Sequence, residues 1–406
     1  MRFSLVIAPA LFLAGCNINF NSGDDEGGQQ PTAAAQQPDN LADSMASADY
    51  GKRDNDVPDI PDSEERPMMQ AQVTLDRLGF GPGVIDGKMG MSTENALEGF
   101  QEANNLEVTS ELDEATRQAL GRGQQFAATR VVRIPAEWGQ EQYGELPEDP
   151  AEKARLQRLG YTSLDERLAE RFHTTVEVLE SLNPNGRPAG MQQQGNNDAT
   201  AQPRRTSSID RSENAAQPAS GEQQSTSVFR PGQLVRVPNI GGDRVVPGAV
   251  ENESWQQTLI ALGVGSDQPK AARVVVSKGD KTLRAYDGDD RLIALFTVSS
   301  GSQANPLPLG DWKIIGVAQN PPYSYDPEVL SNVPDDEEKH QLPPGPNSPV
   351  GVVWIDLSKE HYGIHGTPEP QTIGRAQSDG CVRLTNWDAA RLAQMVDTST
   401  QVEFVA

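Results

Sequence analysis

The chain has 406 residues, of which 36% are hydrophobic, and its formal net charge at pH 7 is −24. This length predicts more than one domain, because a single core seldom organises so many residues. The acidity argues against a nucleic-acid-binding protein, which needs a basic face. It does not favour an anionic lipid surface as a partner either, and it is typical of a surface that keeps a protein soluble.

Residues 1–16 have the three-part layout of a secretory signal, with a positive Arg2, an apolar run from Leu5 to Leu13, and small residues before Cys16. The apolar run is too short to span a bilayer. Its ending resembles a bacterial lipobox, which implies cleavage before Cys16 and lipidation of its sulfur. Asn17, by resemblance to lipoproteins of Gram-negative bacteria, implies a periplasmic location on the outer membrane. The alternative is an ordinary signal peptide with a coincidental cysteine.

Residues 17–67 are rich in Asp, Gln, Asn, Pro, Ser and Ala and contain almost no aromatic or β-branched side chains. Such a composition predicts a disordered tether, because it cannot form a core. A flexible coil of about 50 residues spans roughly 35 to 42 Å root-mean-square. We therefore expect a lipid-anchored body to reach the layer beside its membrane.

Residues 68–122 carry the spacing of three short helices. Apolar positions from Val73 to Phe80 suit a first helix and its exit, and the glycines and proline of 79–83 break it. Ser92 or Thr93 is expected to cap a second helix. A third helix is predicted from Asp113 to Leu120.

Three motifs in this unit, Leu78–Phe80, Ile85–Gly90 and Phe100–Gln101, resemble the small peptidoglycan-binding domain found beside wall enzymes. The resemblance implies binding to peptidoglycan. The alternative is that these residues are only core and turn positions, with Asp86–Gly87 making a tight turn.

Residues 130–240 predict a mixed α and β region with a strand at each end. The predicted elements are strand Val131–Ile134, helices Ala151–Leu159, Leu164–Phe172 and Thr175–Leu182, and strand Pro231–Pro238. The later helices and the last strand resemble a LysM glycan-binding module. Residues 186–228, rich in Gln, Asn and Ser, are predicted to be a disordered insertion. A working glycan clamp and a degenerate LysM-like spacer remain open, and His173 is expected at the surface or in packing.

Residues 272–406 alternate apolar and polar positions and cluster β-branched residues between glycine and aspartate turns. One helix is predicted from Asn386, and a last strand from Gln401 to Val405. The expected fold class is multidomain: a small three-helix domain, an α+β middle region, and a mostly-β domain built as a β-sandwich or open barrel.

One thiol, Cys381, remains after Cys16 is used for an anchor. Exported proteins normally pair or discard their cysteines, so a retained lone thiol indicates a nucleophile. A free thiol titrates near pH 8.5 and needs a base at neutral pH. His365 is the best candidate, in a role that contributes typically about 10² to 10⁴ in rate. Gly380 permits close approach of backbone and substrate.

The C-terminal stretch resembles the YkuD-type L,D-transpeptidase domain across nearly its whole length. The matching motifs are Leu283–Tyr286, Val298–Gly301, Pro308–Trp312, Gly363–Thr367 and Ser378–Leu384. The 13 positions between His365 and Ser378 also agree with the family's spacing. This combination of motifs is specific, so we expect a catalytic domain.

The resemblance implies that Cys381 is the nucleophile, that His365 is the general base and proton donor, and that the carbonyl of Gly366 orients the imidazole. Backbone N–H groups at Gly380 and Cys381 would form the oxyanion region, where one donor contributes about 3 to 4 kcal/mol. No metal or organic cofactor is implied.

Arg383, Ser378 and Thr367 are the expected substrate-binding residues. A guanidinium at Arg383 would hold a substrate carboxylate in a fork and favour the thiolate. Asp379 stands where many family members carry a second histidine. We expect activity to survive this difference, since His365 aligns with the family's base.

The expected reaction begins with attack of Cys381 on the third residue of a peptidoglycan tetrapeptide stem, and D-alanine leaves. Three acceptors stay open: a second stem gives a 3-3 cross-link, a lipoprotein lysine gives a protein–wall bond, and water makes the enzyme a carboxypeptidase. The loop 320–348 is expected to cap the donor cleft. A rival interpretation is a non-catalytic lipoprotein that tethers membrane to wall, but such a scaffold needs neither Cys381 nor His365.

A zinc site at His361, His365 and Cys381 is disfavoured. Glycines at 363 and 366 argue against a helix, and on a strand the two histidines would lie about 13 Å apart. His361 is therefore expected to be an edge residue or a substrate contact.

Three further side chains are assigned structural places. His340 is predicted on a solvated loop, because it follows the charged run 335–339. Trp312 and Trp354 are expected in the core, with lining of the cleft as the alternative.

Overall fold

The computed structural model describes residues 57–121, 126–191, 227–241, 245–246, 248–302, 305–329, 337–376, 378 and 380–406. Cys16, most of the predicted tether and insertion, and Asp379 lie outside the described residues. Within these ranges no helix has both the length and the apolar character needed to cross a membrane.

The helical unit, residues 67–120, contains α1 (Pro67–Arg77), the short strand β1 (Phe80–Gly81), α2 (Met91–Ala103) and α3 (Glu114–Leu120). Pro67 opens α1, where a missing N–H costs nothing. Asp113 caps α3 by accepting from the Thr116 N–H. The three predicted helices are confirmed. Neither Ser92 nor Thr93 caps α2, which begins at Met91 without a side-chain cap.

The middle unit, residues 129–238, is bounded by β2 (Thr129–Arg133) and β3 (Leu234–Pro238), which pair antiparallel. Between them lie α4 (Pro150–Lys153), α5 (Leu164–Arg171) and α6 (Val176–Leu182). Ser163 and Thr175 cap α5 and α6 with their hydroxyls. The side chain of Asn183, just after α6, exchanges hydrogen bonds with the backbone of Arg236 on β3. Helices and strands are thereby locked together.

Two predictions for this region are changed by tertiary contacts. The helix predicted over Ala151–Leu159 is only the single turn α4, because the backbone of Leu159 instead pairs with Pro344 and Asn347 of the C-terminal part. Residues 57–66, assigned to the tether, pack on the middle unit. Arg236 donates to the carbonyls of Ile60 and Pro61, so the folded region extends beyond the predicted boundary.

The sheet unit, residues 253–405, begins with α7 (Glu253–Leu262), a helix that the sequence analysis did not identify. The strands that follow are β4 (Arg273–Ser277), β5 (Thr282–Tyr286), β6 (Leu292–Thr297), β7 (Ser299–Ser300), β8 (Gly310–Gln319), β9 (Tyr323–Tyr325), β10 (His340–Leu342), β11 (Val353–Leu357), β12 (Gly363–His365) and β13 (Val382–Arg383). Helix α8 (Asn386–Met395) and β14 (Gln401–Val405) complete the chain. The mostly-β expectation with few helices is confirmed.

Ten strands form one mixed sheet in the order β1-β6-β5-β4-β14-β8-β11-β12-β13-β7. Helices α7 and α8 pack their apolar faces on it, and Trp255, Leu259 and Trp387 enter its core. β9 and β10 form a separate two-stranded hairpin. The strand order places the ends of β12 and β13 side by side at one end of the sheet, where the motif residues lie.

The helical unit extends this sheet. β1 pairs parallel with β6, with Phe80 opposite Leu295. The core of the helical unit includes Leu292 and Leu295 from β6. β1 thereby covers the edge of β6, which protects this edge from pairing with another chain.

A buried polar cluster joins all three units. Asp76 of α1 accepts from Arg391 of α8 at 2.8 Å, and its other carboxyl oxygen lies 3.1 Å from Nδ1 of His173. Nε2 of His173 contacts the Leu262 carbonyl at 2.9 Å, and its ring stacks on Trp387. His173 is therefore a packing residue. Burial opposes ionisation of Asp76, but Arg391 and His173 hold its pKa well below the usual range.

Candidate active site

Strand pairing brings the segments that carry the thiol and the imidazole next to each other. β12 and β13 run parallel, with Ile364 opposite Val382 and His365 opposite Arg383. Cys381 directly precedes Val382, and His365 directly follows Ile364. Because β12 and β13 are paired, the backbone segments that carry Cys381 and His365 lie side by side.

The hydrogen bond of His365 decides its tautomer. Nδ1 lies 2.7 Å from the carbonyl oxygen of Gly366. A carbonyl only accepts, so Nδ1 carries the proton and Nε2 of a neutral ring is left with a lone pair. The indole of Trp354 stacks on the ring at 5.5 Å between centroids. The orientation and the tautomer of the His365 ring are therefore both set by neighbouring groups.

His365 is also kept neutral. Burial, together with the charge of nearby Arg383, lowers the pKa of His365 to about 3, although the Gly366 hydrogen bond opposes this shift. The ring is consequently unprotonated at neutral pH. A buried neutral imidazole with a free Nε2 is equipped to accept a proton.

Cys381 is 5% exposed and belongs to a buried apolar cluster. The other buried members are Leu159, Tyr323, Leu342, Val350 and Trp354. One contact of its Sγ is the backbone carbonyl of His361, at 3.8 Å. His361 itself has a positive φ and lies on the turn before β12, and its side chain lies 3.5 Å from Glu360. The thiol therefore lies in an enclosed, largely apolar site.

The backbone before Cys381 requires glycine. Gly380 has φ +110°, a conformation that other residues rarely adopt, and a Cβ there would lie 2.8 Å from the ring of Tyr362. Close packing with Tyr362 therefore fixes the path of the chain into Cys381. Nothing in the local sequence pattern pointed to Tyr362.

The hydroxyls of Ser378 and Thr367 are used inside the protein. Ser378 accepts from the Gly301 N–H at 2.8 Å and donates to the Cys381 carbonyl, so it holds the cysteine loop. Thr367 is 5% exposed and accepts from the Glu369 N–H. Both hydroxyls thus have partners within the protein, and the substrate-binding roles expected for Ser378 and Thr367 stay predictions.

Arg383 lies on β13 beside His365 and is partly exposed. Its Nε is buried and has no hydrogen-bond partner among the described residues. A guanidinium with unused donors at the site remains a candidate for binding an anion.

One wall of the site comes from other parts of the chain. Tyr323 and Leu342 come from the β9–β10 hairpin, and Leu159 comes from the middle unit. His340 opens β10 and stacks near Tyr325, so the prediction of a solvated loop at this residue was wrong. The cause is strand pairing: His340, the residue after the charged run, pairs with Tyr325 and so belongs to the hairpin.

Of the two tryptophans, Trp354 is buried on β11 against His365. Trp312 is only partly buried, and its indole N–H donates to the Pro308 carbonyl. Across the described ranges no group of three or more His, Cys, Asp or Glu side chains is suited to hold a metal ion. The core placement expected for Trp354 is confirmed, and its indole also packs on the ring of His365.

The chemistry of Cys381 and His365 suits acyl transfer through a thiol, and comparison with known proteins gives the class of the two domains. Residues 271–404 match the family model described as the L,D-transpeptidase catalytic domain, YkuD. Residues 65–120 match a putative peptidoglycan binding domain. The chain is 31% identical over 165 residues to the putative L,D-transpeptidase YkuD of Bacillus licheniformis, covering 41% of this chain and 79% of that protein. It belongs to the YkuD family of L,D-transpeptidases and is an L,D-transpeptidase.

Other relatives share less of their length or identity. The putative L,D-transpeptidase YkuD of Bacillus subtilis is 30% identical over 36% of this chain and 73% of its own. The probable L,D-transpeptidase ErfK/SrfK of Escherichia coli is 26% identical over 41% and 53%. Among solved structures, an L,D-transpeptidase from Mycobacterium smegmatis is 21% identical, with a TM-score of 0.28 over 34% of this chain and 59% of that one.

Proposed function

We propose that this enzyme is a lipid-anchored periplasmic L,D-transpeptidase that joins peptidoglycan stem peptides through a thioester on Cys381. The observation that carries the proposal is the state of His365, whose neutral ring donates from Nδ1 to Gly366 and keeps Nε2 free. Cys381 directly precedes β13, the strand that pairs with the strand of His365.

In the first half-reaction, Nε2 of His365 takes the thiol proton and Sγ attacks the carbonyl carbon of the third stem residue. The S–C bond forms, the C–N bond to D-alanine breaks, and the amine leaves with the proton from His365. Backbone N–H groups at Gly380 and Cys381 stabilise the oxyanion, and one such donor contributes about 3 to 4 kcal/mol. The neutral imidazole is in the correct state to begin this cycle.

In the second half-reaction, an acceptor amine attacks the thioester carbonyl while His365 takes its proton. The new C–N bond forms, the C–S bond breaks and the thiol is regenerated. An amine from a second stem gives the 3-3 cross-link. The enclosed, apolar surroundings of Cys381 favour this acceptor over water, because they keep the thioester away from solvent.

Arg383 is the proposed contact for a donor carboxylate. Its buried Nε has no hydrogen-bond partner in the described part of the chain, so a substrate anion would satisfy it. The helical unit supports the same substrate class, because its family match is a putative peptidoglycan binding domain.

Anchoring at the outer membrane is supported by the sequence of residues 1–17. The Leu13–Cys16 ending provides the lipid attachment, and residues 17–56 provide reach toward the wall. Two or more acyl chains hold a protein stably on a membrane. A Cys16→Ala variant is expected to lose lipid labelling and to leave the membrane fraction, whereas retention with the membrane would contradict the anchor.

The activity is tested by incubating the chain without residues 1–16 with purified disaccharide tetrapeptide and separating the products by mass spectrometry. A cross-linked dimer with release of D-alanine, absent in Cys381→Ala, is the expected result. Tripeptide monomer alone would make the enzyme a carboxypeptidase with this substrate. No product from the wild-type protein would refute the proposed donor and favour the tethering role.

A further inference from the structure

One carboxyl group of the middle unit reaches into the sheet unit behind the active site. Glu170 lies near the end of α5, and its Oε1 accepts a hydrogen bond of 2.8 Å from Nδ2 of Asn386. The residue is partly buried, and its second carboxyl oxygen is enclosed. Its partner Asn386 is the first residue of α8, the helix that follows β13.

Every polar group of the Asn386 side chain is engaged. Nδ2 also donates to the Pro346 carbonyl at 3.0 Å, and Oδ1 accepts from the Val352 N–H at 3.3 Å. Asn386 is fully buried. Its position is therefore decided by Glu170 on one side and by the loop around Pro346 on the other.

Asn386 in turn packs against the residue that orients the imidazole. A Cβ on Gly366 would lie 2.3 Å from Asn386 Oδ1, which shows how closely the amide contacts this backbone. The carbonyl of Gly366 accepts from Nδ1 of His365. An unbroken series of contacts thus runs from Glu170 through Asn386 and Gly366 to His365.

We propose that Glu170 is a positioning residue for the transpeptidase reaction: by holding Asn386 against Gly366, it keeps the Gly366 carbonyl in place to orient His365. The middle unit is then part of the catalytic apparatus as well as a wall module or spacer. This inference rests on the proposed role of His365 as the base.

The surroundings of Glu170 agree with a hydrogen-bonding role that does not need a charge. Burial raises the pKa of Glu170 to about 7, while the hydrogen bond from Asn386 opposes the shift. An uncharged amide at this position keeps the acceptor oxygen for Asn386. Glu170→Gln is therefore the conservative variant, while Glu170→Ala removes the acceptor and Glu170→Asp withdraws it by one methylene.

The experiment compares these three variants in the chain without residues 1–16, using two measurements. The first is the rate at which disaccharide tetrapeptide acylates Cys381, followed by intact-protein mass spectrometry. The second is the ring ¹H–¹⁵N spectrum of His365, which is accessible because the chain has only four histidines. Glu98→Ala is the matched control: it removes a carboxyl contact of the helical unit with the sheet unit, between Glu98 of α2 and Arg284 of β5, which lies outside the series of contacts from Glu170 to His365.

Glu170→Ala and Glu170→Asp are expected to slow acylation by roughly 10- to 100-fold and to shift the His365 ring signals. Glu170→Gln should retain both the acylation rate and the ring signals, and Glu98→Ala should lower the melting temperature without changing the rate or the signals. If Glu170→Ala does not fold, Glu170→Asp decides the question.

Native rate and ring signals in a folded Glu170→Asp or Glu170→Ala variant would overturn the proposal. Equal losses in Glu98→Ala would also overturn it, because they would indicate general loosening of the contacts between units. The ring spectrum separates the two proposals: shifted His365 signals together with no acylation of the wild-type protein would refute the proposed function and not the positioning contact.

Discussion

At the scale of single residues, three neighbours decide the state of the His365 imidazole. The Gly366 carbonyl fixes the proton on Nδ1, Trp354 holds the plane of the ring, and Arg383 adds a positive charge that opposes protonation. The combination gives a base that is unprotonated across the neutral and mildly acidic range. Nucleophile activation thus depends on the surroundings of the base as much as on its identity.

This state predicts a pH dependence of stability. The pKa of His365 is about 3 in the folded chain and 6.5 ordinarily, so between these values the unfolded chain binds a proton that the folded chain does not. The free energy of unfolding should therefore fall as pH is lowered from about 6.5 toward 3. Urea unfolding at several pH values would measure it, with a shallower dependence expected for His365→Gln. An identical dependence in that variant would contradict the assignment.

Gly380 supplies a second test at this scale. Gly380→Ala places a Cβ against Tyr362 in a left-handed conformation, at a cost of roughly 1 to 3 kcal/mol. We expect a lower melting temperature and slow acylation, because Cys381 is displaced. Gly288→Ala, where a Cβ meets nothing within 4 Å, is the control and should behave as wild type. Normal acylation by Gly380→Ala would show that this turn is not required.

At the scale of secondary-structure elements, the helical unit stabilises the edge of the catalytic sheet. Leu295 of β6 is fully buried beneath α2 and β1. Leu295→Ala is expected to cost about 2 to 5 kcal/mol, because it opens a cavity at this junction. Leu309→Ala, at a side chain that is 54% exposed, should change stability by less than about 0.5 kcal/mol. If Leu295→Ala and Leu309→Ala changed the free energy of unfolding in denaturant equally, the result would argue against a structural role for the junction.

The sequence predicted the elements that have strong local signals. The Cys381 and His365 motifs, the three helices of the helical unit and the β-rich C-terminal part follow from short-range patterns. Helix α7 was missed although its signals are present: Asn252 caps it and Gly263 ends it in a left-handed conformation.

Other features could not be predicted from local patterns, because they arise between distant segments. Trp354 against His365, Tyr362 against Gly380 and Glu170 against Asn386 are contacts that only the folded topology brings together. The two-residue strand β1 is likewise too short to predict without its partner β6. Residues that surround the catalytic motif are therefore less predictable than the motif itself.

At the scale of the whole molecule, the Asp76 cluster makes the three units interdependent. Asp76→Ala leaves buried Arg391 and His173 without their common acceptor, and breaking a buried ion pair typically costs about 3 to 5 kcal/mol. We expect chemical denaturation of Asp76→Ala to show a loss of this size in the free energy of unfolding. Glu114→Ala, which removes an exposed pair with Arg117, should cost at most about 1 kcal/mol. A small effect at Asp76 would show that the units are only loosely joined.

The central claim is that Cys381 forms a thioester with the help of His365. The most direct test is the intact mass of the protein after brief mixing with disaccharide tetrapeptide, for the wild type, Cys381→Ala and His365→Gln. The account predicts an adduct with the mass of the disaccharide tripeptide acyl group on the wild type, mapped to Cys381. It predicts no adduct on Cys381→Ala and strongly slowed formation on His365→Gln. Turnover by Cys381→Ala, or an adduct on another residue, would contradict the account.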